Sequence, residues 1–134
     1  MIIRKGTYEE CFNLSKIIPE FDSPYEINEY KNRCRTVNHL ILIADIDNNP
    51  IGFKTGYDRY NDGGFYSWMG GVLPRFRHKS VASKLADYQE NWAFKKGYDF
   101  IQLKTRKKHG AMINFSLNRG FTVINEIPMD DPLG

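Results

Sequence analysis

The sequence predicts a single domain of the α/β (α+β) class, a mixed β-sheet flanked by helices, and three observations predict it. Strand-like apolar runs precede and follow segments of helical period. The runs between Leu40 and Val72 follow one another with only turn residues between them, which is an antiparallel meander. Behind the meander a long helical segment leads into a further strand, a crossover that adds a parallel neighbour. A chain of 134 residues fits one core, so residues 1–134 are read as one domain.

Taken in order, Ile2–Arg4 is a short first strand. Tyr8–Ile18 carries Cys11, Leu14, Ile17 and Ile18 at helical spacing, and Pro19 ends it. After a loop with Asp22, Ser23 and Pro24, a second helix runs from Tyr25 to about Asn32. Leu40–Ala44 is continuously apolar, the mark of a strand buried on both faces. Asp47–Pro50 is a turn into the strand Ile51–Tyr57, and Asp58–Gly64 is a second turn into the strand Phe65–Val72. Gly70-Gly71 inside that strand marks a bulge or a close backbone approach. Val81–Lys96 is a helix with Val81, Leu85, Tyr88 or Gln89, and Trp92 on one stripe, ended by Gly97. Phe100–Thr105 is a strand, Ala111–Arg119 a helix stopped by Gly120, and Thr122–Ile127 a last strand.

Composition narrows the function classes. With 41% hydrophobic and 26% charged residues the chain is not disordered, collagen-like or a coiled coil. Mean hydropathy is −0.54, and no apolar run approaches the ~20 residues of a membrane span, so no membrane partner is expected. Met-Ile-Ile-Arg-Lys turns charged before an export signal could form, so a cytoplasmic setting is expected. Cys11 and Cys34 are then reduced thiols, and neither has a metal-ligand spacing. A net charge of +3 is a mild excess, and the aromatics, 14% of the chain, lie at core periodicity rather than among the basic residues. Nucleic acid is therefore the weakest of the partner readings.

The informative segment is Val72-Leu73-Pro74-Arg75-Phe76-Arg77-His78-Lys79-Ser80-Val81-Ala82-Ser83. A strand ends, a cationic loop follows, and a helix begins. Unpaired N–H groups, the positive end of the helix dipole and side-chain cations are offered together to an anion. The plainer reading is a solvated basic loop with Ser80 as an ordinary helix cap.

From Phe65 to Phe121 the chain resembles the GNAT acetyltransferase superfamily. The signature is a strand ending V-x-P, then [Q/R]-x-x-G-x-[G/A] opening a long helix, then a strand and a helix ending Gly-Phe. Here it reads Val72-x-Pro74, Arg77-His78-Lys79-Ser80-Val81-Ala82, Phe100–Thr105 and Gly120-Phe121. The Ser-Trp-Met-Gly-Gly-Val-Leu-Pro block at 67–74 is similar to small members of that superfamily.

The resemblance implies a centrally splayed sheet, with acetyl-CoA (or another acyl-CoA) as co-substrate in the splay between Phe65–Val72 and Phe100–Thr105. The pyrophosphate would take N–H groups from Arg77, His78, Lys79, Ser80, Val81, Ala82 and Ser83. The pantetheine would pair with backbone around Gly71, Val72 and Leu73, and an N–H near Val72 would polarise the thioester carbonyl. Gly70-Gly71 becomes the bulge that splays the sheet. The basic run Lys104, Arg106, Lys107, Lys108, His109 would meet the CoA 3′-phosphate, or it is a solvated face.

Two departures stand out. Ser80 replaces the first loop glycine, which a left-handed backbone requirement would disfavour. Ser116 stands where many members carry a Tyr as general acid, and the family's Asn ahead of that helix falls near His109. A serine hydroxyl is too poor an acid to substitute, though it could hold a water or bond the sulfur. For the base, Tyr66 and Ser67 are candidates by position, followed by Tyr57, Asp58 and Tyr60; packing is the alternative for Tyr66 and Tyr57. Tyr66, Ser67 and Ser116 are thus the catalytic candidates.

The implied activity is transfer of an acetyl group to a primary amine of a small molecule or peptide, by direct attack in a ternary complex. The alternative, motivated by Ser116, is a catalytically degenerate CoA-binding or regulatory module on the same fold. Glu20, Asp22, Glu26 and Glu29 would either select a cationic amine or be surface charge. Trp68, Trp92 and His39 are read as structural. Pro128 and Pro132 disfavour a further strand, so either the sheet is one strand short or a second subunit covers its edge; the reading here is a homodimer.

Overall fold

The computed structural model describes residues 1–77 and 80–126. Strands β1 (Ile2–Lys5), β2 (His39–Ile46), β3 (Asn49–Tyr57), β4 (Gly64–Val72) and β5 (Phe100–Leu103) and helices α1 (Tyr8–Ile17), α2 (Ile27–Cys34), α3 (Val81–Lys95) and α4 (Gly110–Asn118) follow the chain in the order β1-α1-α2-β2-β3-β4-α3-β5-α4. The chain divides into two compact units, residues 1–102 and 103–134. No helix among the described residues is long and apolar enough to cross a membrane.

The strands lie in the order β1-β2-β3-β4-β5. The first four pair antiparallel. After the α3 crossover, β5 starts beside the start of β4, where Asp99 N–H donates to Gly63 O at 2.8 Å. Two strands that start together run the same way, so the sheet is mixed. The continuous apolar run of β2 is explained by its two faces. Ile41 and Ile43 pack with α1 and α2, whereas Leu40, Leu42 and Ala44 pack with α3.

Local chemistry accounts for most boundaries. Thr7 and Glu10 form a capping box at the start of α1, each side chain accepting from the other's backbone N–H. Asp47 and Asn48, with φ of 51° and 65°, make the two-residue turn of the β2–β3 hairpin, which matches strand twist. That turn is tighter than expected. Pro50 enters β3 beside a register shift at Ala44/Asp45, an irregularity that tolerates a residue lacking an N–H donor. On α3 the buried stripe is Val81, Leu85, Ala86, Gln89 and Ala93, with Trp92 flanking it, edge-on to Phe65 at 5.1 Å.

Four expectations are corrected. The bulge in β4 is not at Gly70-Gly71. Thr55 pairs with Met69 and Gly56 with Ser67, so the extra residue is Trp68, and Gly70 and Gly71 sit in regular register opposite Lys54 and Phe53. Gly71 is instead a close approach: a Cβ there would meet Ile18 Cδ1 at 3.0 Å and a Phe21 ring carbon at 3.2 Å. Second, α2 begins at Ile27, because the Tyr25 ring packs on Trp68 at 5.2 Å and leaves the helix to start after it. Third, β5 stops at Leu103 rather than Thr105. Fourth, residues 121–126 form no strand. Val123 and Ile124 are exposed, and β-propensity without a partner or a buried face does not make a strand. The remainder of that expected strand lies outside the described residues.

Candidate active site

The site is built on the end of β4 and the start of α3. Leu73 N–H donates to Ile51 O at 2.8 Å, which extends the β3–β4 ladder by one bond. Successive amides of a strand point to opposite edges, so Gly71 and Leu73 face β3 while Gly70 and Val72 turn their N–H groups outward. The outward edge is the one next to β5. This puts backbone donors where the sequence reading wanted one, near Val72.

Beyond Val72 a short 3-10 turn at Pro74–Phe76 leads to Arg77. The Arg77 guanidinium is engaged twice: Nε donates to Val72 O at 3.1 Å and a terminal nitrogen to Glu20 Oε1 at 2.6 Å. His78 and Lys79 lie outside the described residues. Ser80 adopts φ 61° and ψ 19°, the left-handed conformation that a glycine would take without cost. It is not an ordinary cap, since its side chain bonds none of the helix N–H groups. The first intrahelical bond runs from Lys84 N–H to Ser80 O, so the amides of Val81, Ala82 and Ser83 have no acceptor within the helix. Three donors and a helix dipole therefore lie beside Ser80, whose own backbone is held in a strained shape, an arrangement suited to a phosphate.

The catalytic candidates fall in different settings. Tyr66 is buried, with Tyr57 and Tyr60 edge-on to it at 5.7 and 5.9 Å and the Arg59 guanidinium 5.0 Å from its ring centre. Burial pushes its phenol up to about 12, so it holds its proton near neutrality. Ser67 is buried and pairs with Gly56 on the strand before the bulge. Tyr57 is also buried, its hydroxyl accepting from Arg33 at 3.2 Å. Asp58 accepts from Tyr98 at 2.9 Å, and Tyr60 is exposed.

In the second unit, His109 precedes α4 and its side chain makes no cap bond. Ser116 is buried, its Oγ directed at Met112 Sδ at 3.8 Å and its carbonyl accepting from Phe121 N–H at 3.1 Å. Lys107 pairs with Glu126 at 3.4 Å with both side chains largely in water, in keeping with a solvated basic run. Among the described residues no group of His, Cys, Asp and Glu is arranged to hold a metal ion.

The sequence reading missed an aromatic clasp at the bulge. Arg33 stacks on Trp68 at 4.4 Å and on Tyr25 at 5.2 Å while its Nε donates to Glu29 at 2.7 Å. The i,i+4 spacing of Glu29 and Arg33 was a visible signal. Its tertiary partners had none. Glu20 and Glu29, considered for an amine acceptor, are thus each paired with an arginine.

Comparisons with known proteins agree with this geometry. The fold is similar to that of the aminoglycoside N-acetyltransferase AAC(6')-Iy in complex with CoA, with a TM-score of 0.77, 20% identity and 98% of each chain covered. It is also similar to a GNAT-family acetyltransferase from Staphylococcus aureus, with a TM-score of 0.81, 17% identity, and 98% of this chain and 91% of that one covered. The ribosomal-protein-S18-alanine N-acetyltransferase from Escherichia coli gives 0.80 at 12% identity, over 92% of this chain and 79% of the other. No curated protein sequence matches significantly. The acetyltransferase (GNAT) family model matches residues 7–121, from the cap of α1 through the Gly-Phe after α4. With that span covered, the chain belongs to the acetyltransferase (GNAT) family.

Proposed function

We propose that this protein transfers the acetyl group of acetyl-CoA to a primary amine of a small-molecule or peptide acceptor, by direct attack in a ternary complex. The observation that carries the reading is the joint geometry of outward Gly70 and Val72 amides, left-handed Ser80 and the open N-terminus of α3. The acetyl-CoA thioester supplies the activated acyl group. The α3 amides and the loop cations hold its phosphates, and the Val72 N–H polarises the carbonyl as charge develops on oxygen. Similar folds crystallised with CoA and with a CoA–aminoglycoside bisubstrate analog support a small amine acceptor. The unbroken family match across both units supports one domain over residues 1–134. Homodimer formation and a cytoplasmic setting complete the proposal.

The test is titration of acetyl-CoA against wild type and Arg77→Ala, followed by an amine panel read by release of free CoA. Micromolar binding is expected in wild type, weakened about tenfold by Arg77→Ala through loss of a charge near the phosphates and of the Val72 clamp. No binding by wild type overturns the proposal. Binding without turnover on any amine supports the second reading, a CoA-binding module without catalysis, which the buried Ser116 hydroxyl facing a thioether favours.

A further inference from the structure

Tyr30, on α2, touches both residues that define the β4 bulge. Its ring lies on the extra residue, Trp68, at 5.1 Å, and its hydroxyl donates to the Sδ of the next, Met69, at 3.6 Å. The side chain is fully buried. Across the ladder, Thr55, the partner of Met69, is held from the same side by Cys11, with Sγ and Oγ1 3.5 Å apart. The irregularity is thus gripped on both strands by α1 and α2.

The grip matters because of what the bulge does to phase. Downstream of Trp68, Ile51 faces Leu73, Phe53 faces Gly71 and Thr55 faces Met69. Were Trp68 taken into the ladder, each β3 residue would face one residue earlier, Ile51 meeting Val72 and Phe53 meeting Gly70. The Val72 and Gly70 N–H groups would then turn inward to β3 and be lost from the outer edge.

We propose that Tyr30 is a positioning residue for acyl transfer, holding the bulge in the one phase that presents the Gly70 and Val72 amides to the thioester. The inference rests on the acetyl-transfer reading above. It does not assign Tyr30 a contact with substrate. Its hydroxyl acts through Met69 and its ring through Trp68.

The experiment uses the full chain and the variants Tyr30→Phe and Met69→Leu, which keep bulk and remove the hydroxyl–sulfur bond from either side. In ligand-free protein, exchange of the Met69, Gly71 and Leu73 amides reports the phase directly. Both variants should raise it about tenfold with β1–β2 exchange unchanged. In turnover with acetyl-CoA and an accepted amine, kcat should fall about fivefold to tenfold with KM for acetyl-CoA within about twofold, and the double variant should be no worse than either single. Unchanged exchange at those amides overturns the clamp. Raised exchange or a lower melting temperature with unaltered kcat makes Tyr30 merely structural and overturns the positioning role. Absence of turnover in wild type overturns the acetyl-transfer reading itself, and the exchange arm then still decides whether Tyr30 holds the bulge.

Discussion

The half of β4 up to Trp68 and the half beyond it differ in everything except being one strand. Phe65, Tyr66, Ser67 and Trp68 are buried on both faces, wrapped by Tyr25, Tyr30, Tyr57, Tyr60, Trp92 and Tyr98. Met69, Gly70 and Gly71 are half-buried, carry little side chain at two of three positions, and lead toward Ser80 in left-handed backbone. The first half makes shape through side chains. The second offers backbone. On the proposed function, main-chain amides would meet phosphates and a thioester, and the rigidity such a site needs would come from the aromatic half next door.

That contrast can be broken at the aromatic end with the largest effect. Trp68→Ala removes a buried ring that touches Tyr25, Tyr30, Tyr57 and Arg33, and should cost about 3–5 kcal/mol in urea unfolding. Met69→Ala, half-exposed, should cost markedly less; equal losses would erase the distinction between the halves.

Alkaline pH probes the same buried side next. Burial pushes the thiols of Cys11 and Cys34 and the phenols of Tyr30 and Tyr66 up to about 12. Unfolded, they titrate near about 9 for thiols and about 10 for phenols, so there the unfolded chain has released protons that the native chain keeps. The native state's advantage is therefore complete below about pH 9 and declines as pH rises toward 12, by up to about 1.4 kcal/mol per group per pH unit. Unfolding midpoints measured from pH 8 to 11 should fall steadily above 9, and a flat profile would contradict the burial of these groups.

The smallest effect lies at the open end. Ser80→Gly relieves left-handed strain and should stabilise by about 0.5–1 kcal/mol, visible as a higher melting temperature. Ser80→Ala should change stability by less than about 0.5 kcal/mol, because no cap bond exists to lose, whereas an ordinary serine cap loses about 1. A destabilised Ser80→Ala would show that the hydroxyl caps α3 after all.

Particular residues show how much of this was legible beforehand. The buried run of β2, the stop at Pro19, the turn glycines and the helical stripe of α3 are local patterns, and the elements follow them closely. The end of β4 near Val72 and the start of α3 at Val81 were equally plain, because both are marked by residues near in sequence. The bulge was misplaced onto Gly70-Gly71 since glycine is the visible cue, while the true extra residue is a tryptophan set by packing against α2. Tyr66 illustrates the same limit: its residue type was plain in the sequence, whereas its burial and the raised phenol that follows from it were not.

Order along the chain, the type of each element from β1 to α4, and membership in the family's loop pattern were thus determined by the sequence alone, through periodicity and local backbone preference. Tertiary structure alone decided the phase of β4, the pairing of Arg77 with Glu20 and of Arg33 with Trp68, and the left-handed state of Ser80. The physical reason is separation. Both pairings and the phase join groups from different elements, dozens of residues apart in the two pairings, and Ser80 takes a conformation its own side chain disfavours and only its surroundings impose.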